Sequence, residues 1–107
     1  MMISTSDTLP GKRIMKVIGL TKGNAVRARN IGRDVVAGLR NIVGGEIPEY
    51  TKLLAEARDQ AIDRMIVDAE GRGANAIVGM RFTTAQIMEH GAELLAYGTA
   101  VVTEDEK

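Results

Sequence analysis

The sequence predicts an α+β subunit that buries much of its surface in a symmetric homo-oligomer. Three observations carry that reading. Two-residue alternation of apolar side chains marks strands at 13–20, from 76 onward and at 94–102, near both ends of the chain. Between them Leu54, Ala57, Ala61, Met65 and Ala69 recur at helical spacing. The closing run 94–102 carries no charge on either alternating set, so its sheet needs cover on both faces. A helix layer covers one face, and a second subunit is the simplest cover for the other.

The elements follow in order. Residues 1–5 are β-prone, and Pro10-Gly11 marks the turn before the strand at 13–20, where Ile14, Lys16, Ile18 and Leu20 alternate with Met15, Val17 and Gly19. Thr21-Lys22-Gly23-Asn24 reads as a turn or bulge, after which Ala25 and Val26 resume the strand. Asn30 suits the N-cap of a short helix with Ile31, Val35, Leu39 and Ile42 on one side, ended by Gly44-Gly45. Pro48 suits the first turn of a longer helix, whose stripe runs until Gly71 and Gly73 stop it. Val78, Met80 and Phe82 then share one strand face, and Glu89-His90-Gly91 forms the hairpin turn into the last strand. There Leu95, Tyr97, Thr99 and Val101 alternate with Leu94, Ala96, Gly98, Ala100 and Val102. The reading is one domain over 1–103 with a frayed acidic tail at 104–107.

Composition bounds the function classes. With 107 residues, 45% hydrophobic and 26% charged, the chain has the makings of a single folded core. Its aromatic residues are Tyr50, Phe82 and Tyr97, too few for a nucleic-acid stacking platform. Fourteen basic and fourteen acidic residues cancel, so no net field draws it to nucleic acid or to a membrane. The halves differ: residues 1–46 carry a balance of +5 and residues 47–107 one of −5, a polarity able to align neighbouring copies head to tail. Cysteine is absent, which removes disulfides, thiolate metal sites and thiol catalysis. Residues 1–10 lack the pattern of a signal peptide and no run nears the roughly 20 apolar residues of a membrane span, so a soluble, cytoplasmic protein is expected.

Several short motifs have structural readings that compete with chemical ones. Gly71-Arg72-Gly73-Ala74-Asn75-Ala76 matches a dinucleotide fingerprint in letters, but it follows a helix and precedes a strand, the reverse of what pyrophosphate binding requires. It reads as a helix stop. His90 with Glu89 and Glu93 is a nitrogen and oxygen donor set of the right type for a divalent metal, yet a solvated turn rarely closes such a site. Asp59 and Asp63, four apart, read as a solvated helix face, and Met15, Met65, Met80 and Met88 as core filler. Arg27, Arg29, Arg33 and Arg40 read as solvated or inter-subunit cations rather than a phosphate site. The single histidine has no indicated serine or aspartate partner, so no catalytic triad can be assembled and no enzyme is expected.

Leu39-Arg40-Asn41-Ile42-Val43-Gly44-Gly45, Tyr50, Ala57-Arg58, Gly73-Ala74-Asn75-Ala76-Ile77-Val78-Gly79 and Tyr97-Gly98-Thr99-Ala100-Val101, in this order, resemble the YbjQ-like family of bacterial and archaeal proteins over nearly the whole chain. The resemblance implies a two-layer β-β-α-α-β-β subunit with an antiparallel sheet, related in architecture to dodecin, that assembles as a pentamer. Members are often labelled "putative heavy-metal-binding", although soft metals prefer thiolates and this chain has none. The motif residues are mainly glycines and small side chains of the kind used in turns, packing and interfaces. Arg40, Asn41, Gly44, Gly45, Tyr50, Arg58, Gly73, Tyr97 and Gly98 are therefore expected as interface or family-motif positions, and Gly98→Arg is expected to break the ring. The expected function is a non-enzymatic, self-associating binding or structural module with no assigned cofactor or ligand. Heavy-metal or divalent-cation binding through oxygen and histidine donors is the alternative.

Overall fold

The computed structural model describes residues 1–28, 48–88 and 91–106. Its strands are β1 Met2–Ile3, β2 Lys12–Ala28, β3 Ala76–Met88 and β4 Gly91–Asp105, with one helix, α1 Pro48–Gly71, between β2 and β3. The four strands form one sheet in the order β1-β3-β4-β2. β4 pairs antiparallel with both β2 and β3, but β1 joins β3 in parallel, so the sheet is mixed rather than antiparallel. The chain just after β1 stays on the same edge: the Ser4 amide donates to the Ile77 carbonyl at 2.9 Å and the Gly79 amide to the Ser6 carbonyl at 2.9 Å. The short helix expected from Asn30 to Gly45 lies outside the described residues.

β2 corrects the sequence reading. Thr21-Lys22-Gly23-Asn24 is neither turn nor bulge but the middle of a 17-residue strand, paired with β4 through Tyr97, Ala96 and Leu95. The irregularities come earlier, between Ile14 and Lys16 and between Val17 and Gly19, where Gly19 takes φ +129°. The run at 21–24 mimics a turn because α1 lies directly on Thr21 and Gly23, while Lys22 and Asn24 project to the other face. A Cβ on Gly23 would stand 2.2 Å from the Met65 backbone nitrogen and 2.3 Å from the Ala61 carbonyl oxygen.

α1 buries every fourth residue, Leu53, Ala57, Ala61, Met65 and Ala69, against the sheet. The stripe thus begins at Leu53, one residue before the Leu54 that the spacing favoured; Leu54 is 39% exposed. The helix ends as the glycines predicted. Gly73 adopts φ +88°, its amide donates to the Glu70 carbonyl at 3.0 Å, and the Ala74 amide reaches back to the Ala69 carbonyl at 3.1 Å. These two bonds make a Schellman stop, closed by the buried pair Ala69 and Ala74. Asn75 then ties the connection to β4: its Oδ1 accepts from the Thr103 amide at 2.8 Å and its Nδ2 donates to the Thr103 carbonyl at 2.9 Å.

In β3 the expected common face of Val78, Met80 and Phe82 is also corrected. Gly79 at φ +62° lies in a register shift between Val78 and Arg81. The extra residue puts Val78 opposite Thr99, while Phe82 pairs with Ala96 on the helix side. Two apolar clusters result. The main one joins α1 to Ala25, Ile77, Met80, Leu94, Ala96 and Ala100, and a smaller one places Leu9 over Ala76, Val78 and Val101 on the other face. The tail does not fray as expected: Glu104 and Asp105 belong to β4 and form ion pairs with Arg13 and Lys12 of β2.

Candidate functional site

The feature left unresolved by the fold is the sheet face turned away from α1. Directly opposed residues of neighbouring strands project to the same side. Thr21, Gly23 and Ala25 oppose Gly98, Ala96 and Leu94 beneath the helix, so the intervening pairs Leu20 with Thr99, Lys22 with Tyr97, Asn24 with Leu95 and Val26 with Glu93 form the other face. β3 adds Arg81 beside Tyr97, Thr83 beside Leu95 and Ala85 beside Glu93. Among the described residues, Leu9 and its turn cover one end of this face. Beyond it Val17 is 63% exposed, Leu20 is 61% exposed and Val26 is exposed, while Leu95 and Tyr97 are half-buried. β4 is uncharged between Leu94 and Val102, as the sequence showed, but Lys22 and Arg81 flank Tyr97 from the adjacent strands. The surface is therefore apolar with a cationic row across it. Arg81 is partly anchored, its Nη1 donating to the carbonyls of Thr5 and Met80, both at 2.8 Å.

A second constellation locks α1 to β2. Thr21 is fully buried, with its hydroxyl 2.8 Å from Asp68 Oδ2 and 3.1 Å from the Met65 carbonyl. Arg72 pairs with Asp68 at 2.8 Å and also donates to the Leu20 carbonyl. The Thr21 hydrogen bond, reinforced by the Arg72 charge and opposed by partial desolvation, holds the Asp68 carboxyl below its ordinary value of 3.8. Sequence reading missed this group because Thr21 was assigned to a turn; as a strand residue its burial under α1 follows from alternation.

The predicted positions separate. Arg40, Asn41, Gly44, Gly45, Glu89 and His90 lie outside the described residues. Glu93 faces the open side and accepts from Asn24 Nδ2 at 3.3 Å. Among the described residues no three His, Asp or Glu side chains come close enough to hold a metal ion. Tyr50 lies in the first turn of α1, and Arg58, Asp59 and Asp63 are exposed along it. Gly73 is the helix stop and Tyr97 sits on the open face. Gly98, expected as an interface or family-motif position, is packed inside the subunit, where a Cβ would stand 2.8 Å from Ile77 Cγ2 and 3.0 Å from the Val78 carbonyl oxygen.

Comparison with known proteins places this geometry in context. A family model described as "Putative heavy-metal-binding" matches residues 1–104. A UPF0145 protein of Halorubrum lacusprofundi is 54% identical over 101 residues, covering 94% of this chain and 97% of its own. A UPF0145 protein of Dehalococcoides mccartyi is 51% identical over 104 residues, covering 97% and 100%. A crystal structure of a protein of unknown function from Pediococcus pentosaceus, assigned to the DUF74 family, aligns with a TM-score of 0.65 at 15% identity, over 97% of this chain and 98% of that one. That likeness establishes the fold.

Proposed function

The chain belongs to the YbjQ-like family, and on that premise we propose that it is a non-enzymatic binding or structural module that works as a symmetric homo-oligomer. The observation that carries the reading is the open sheet face, where Val17, Leu20 and Val26 are exposed beside Tyr97 and Leu95. The shape of the subunit supports it. The chain exposes 7099 Å², whereas a compact monomer of its mass exposes roughly 5,800 Å². Its radius of gyration is 17.5 Å, against about 13 Å for a compact domain of this length. Burying several hundred Å² of the open face at about 25 cal/mol per Å² contributes several kcal/mol per contact before association costs. The resemblance stated above implies five copies in a closed ring. No helix among the described residues is long and apolar enough to cross a membrane. Native mass spectrometry is the test: the expected species is a single multiple of the 11.5 kDa subunit, five by preference, and a monodisperse monomer at micromolar concentration overturns the reading.

The family description favours a second reading, heavy-metal or divalent-cation binding. In a chain without cysteine the donors would be carboxylates and His90. Calorimetry of metal-free protein with Zn²⁺, Cd²⁺ or Cu⁺ is expected to give no sub-micromolar binding. Tight stoichiometric binding that disappears in His90→Ala would place the metal reading first.

A further inference from the structure

Asp59 and Asp63 have no role in the fold described above, and their arrangement is mildly unfavourable. They stand four residues apart on the exposed side of α1, a spacing at which like charges repel. Opposite the buried stripe of Ala57, Ala61 and Met65, the outer ridge of the helix reads Asp59, Asp63, Val67, and Val67 is 70% exposed. α1 as a whole carries six acidic and three basic residues. Of its cations, Arg64 turns back to donate to the Asn24 carbonyl at 2.6 Å, so its charge is directed to its own sheet. β2 has the opposite character, with five basic residues and no acidic one. Lys12 and Arg13 are matched by Asp105 and Glu104, whereas Lys22 stands on the open face in one row with Tyr97 and Arg81.

From these surfaces we propose that the outer ridge of α1 in one copy docks on the open sheet face of the next, with Asp59 and Asp63 meeting the Lys22–Arg81 row and Val67 meeting Leu20. The inference rests on the homo-oligomer reading and names its interface. The spacings agree. Asp63 to Val67 advances about 6 Å along a helix, and Lys22 to Leu20 advances about 6.7 Å along a strand. Both steps run in the same sense if the neighbour's helix lies antiparallel to β2. The subunit's own helix already does so, since Arg64, Asp68 and Arg72 contact Asn24, Thr21 and Leu20 in that order. Copies related by rotation about an axis along the strands preserve that direction. The contact therefore repeats head to tail, each sheet lying between its own helix and the next copy's.

The test is charge reversal in the full chain, followed by light scattering and native mass spectrometry. Lys22→Glu alone, or Asp59→Lys with Asp63→Lys, is expected to raise the concentration needed for assembly about tenfold or more. The chain carrying all three changes is expected to recover wild-type assembly. The three side chains are exposed, and lysine suits a helix better than aspartate, so far-UV circular dichroism should stay at wild-type strength. The neutral pair Asp59→Asn and Asp63→Asn should give a smaller loss of the same sign. Variants that assemble like the wild type, or a combined chain that stays dissociated, overturn the interface while leaving the oligomer reading standing. A monomeric wild type overturns both.

Discussion

Replacing Gly23 by alanine tests whether α1 and β2 meet backbone to backbone. The added Cβ would stand 2.2 Å from the Met65 nitrogen, 2.3 Å from the Ala61 oxygen and 2.8 Å from the Arg64 carbonyl carbon. All three are helix backbone atoms, so no rotamer change relieves the clash. Ordinary contact begins at 3.4 Å, so the helix must lift by about 1.2 Å there, and a gap near 1 Å already forfeits up to about half of each dispersion contact. Ala57, Ala61 and Met65 would lose part of their packing on Ala25, Leu94 and Ala96. Overpacking of a well-fitted core costs about 1–3 kcal/mol, and the upper end applies where backbone must move. A loss of about 3 kcal/mol corresponds to a fall in Tm of roughly 12 °C or more. Urea unfolding followed by circular dichroism at one fixed protein concentration measures it, with Gly71→Ala as the companion. Gly71 has nothing within 4 Å of its ideal Cβ, so alanine there should be neutral or stabilise by about 0.5 kcal/mol. A Gly23→Ala protein within about 0.5 kcal/mol of wild type would refute the close approach.

Two further outcomes follow from the same interior. Gly98→Arg should unfold the subunit rather than release a folded monomer, because the side chain enters the space of Ile77, Val78 and Met80; loss of far-UV signal together with assembly is the expected observation. Asp68 is held below its ordinary pKa, so its contribution is complete above the unfolded-state value near 3.8 and is lost as pH falls through the lower folded value. Thr21→Val should raise the Asp68 titration measured by carboxyl NMR, cost about 1–2 kcal/mol at neutral pH and flatten the acid end of the stability curve.

How much of this was legible in the sequence depended on how directly each signal is local. The stop at Gly73 and the alternation in β4 were readable because they rest on a left-handed residue and on a strand's own periodicity. The continuation of β2 through Thr21 and Gly23 was not, since the cause is a helix some forty residues later lying on that stretch. The bulge at Gly79 was hidden for a related reason: one inserted residue reverses the faces of Val78 and Met80 without altering the apolar pattern. The open face inherited both errors. With 21–24 read as a turn, Leu20, Lys22, Asn24 and Val26 could not be seen as one row, and the cations beside Tyr97 stayed unnoticed.

The two faces of the sheet differ in what covers them. Beneath α1, beside Met65, Ile77, Met80 and Leu94, many of the contacts are small: Gly23, Ala25, Ala96 and Ala100 lie with Ala57, Ala61 and Ala69. Such residues lose little side-chain entropy on burial and let backbones approach, but each removes little apolar area from water. The helix face is therefore a close and specific fit with a modest hydrophobic return. The larger side chains Val17, Leu20 and Val26 were placed on the opposite face, where α1 cannot reach them. Cover of those side chains by a further copy, as proposed above, would add apolar burial that α1 cannot supply. Folding and assembly would then be coupled, and stability would rise with protein concentration.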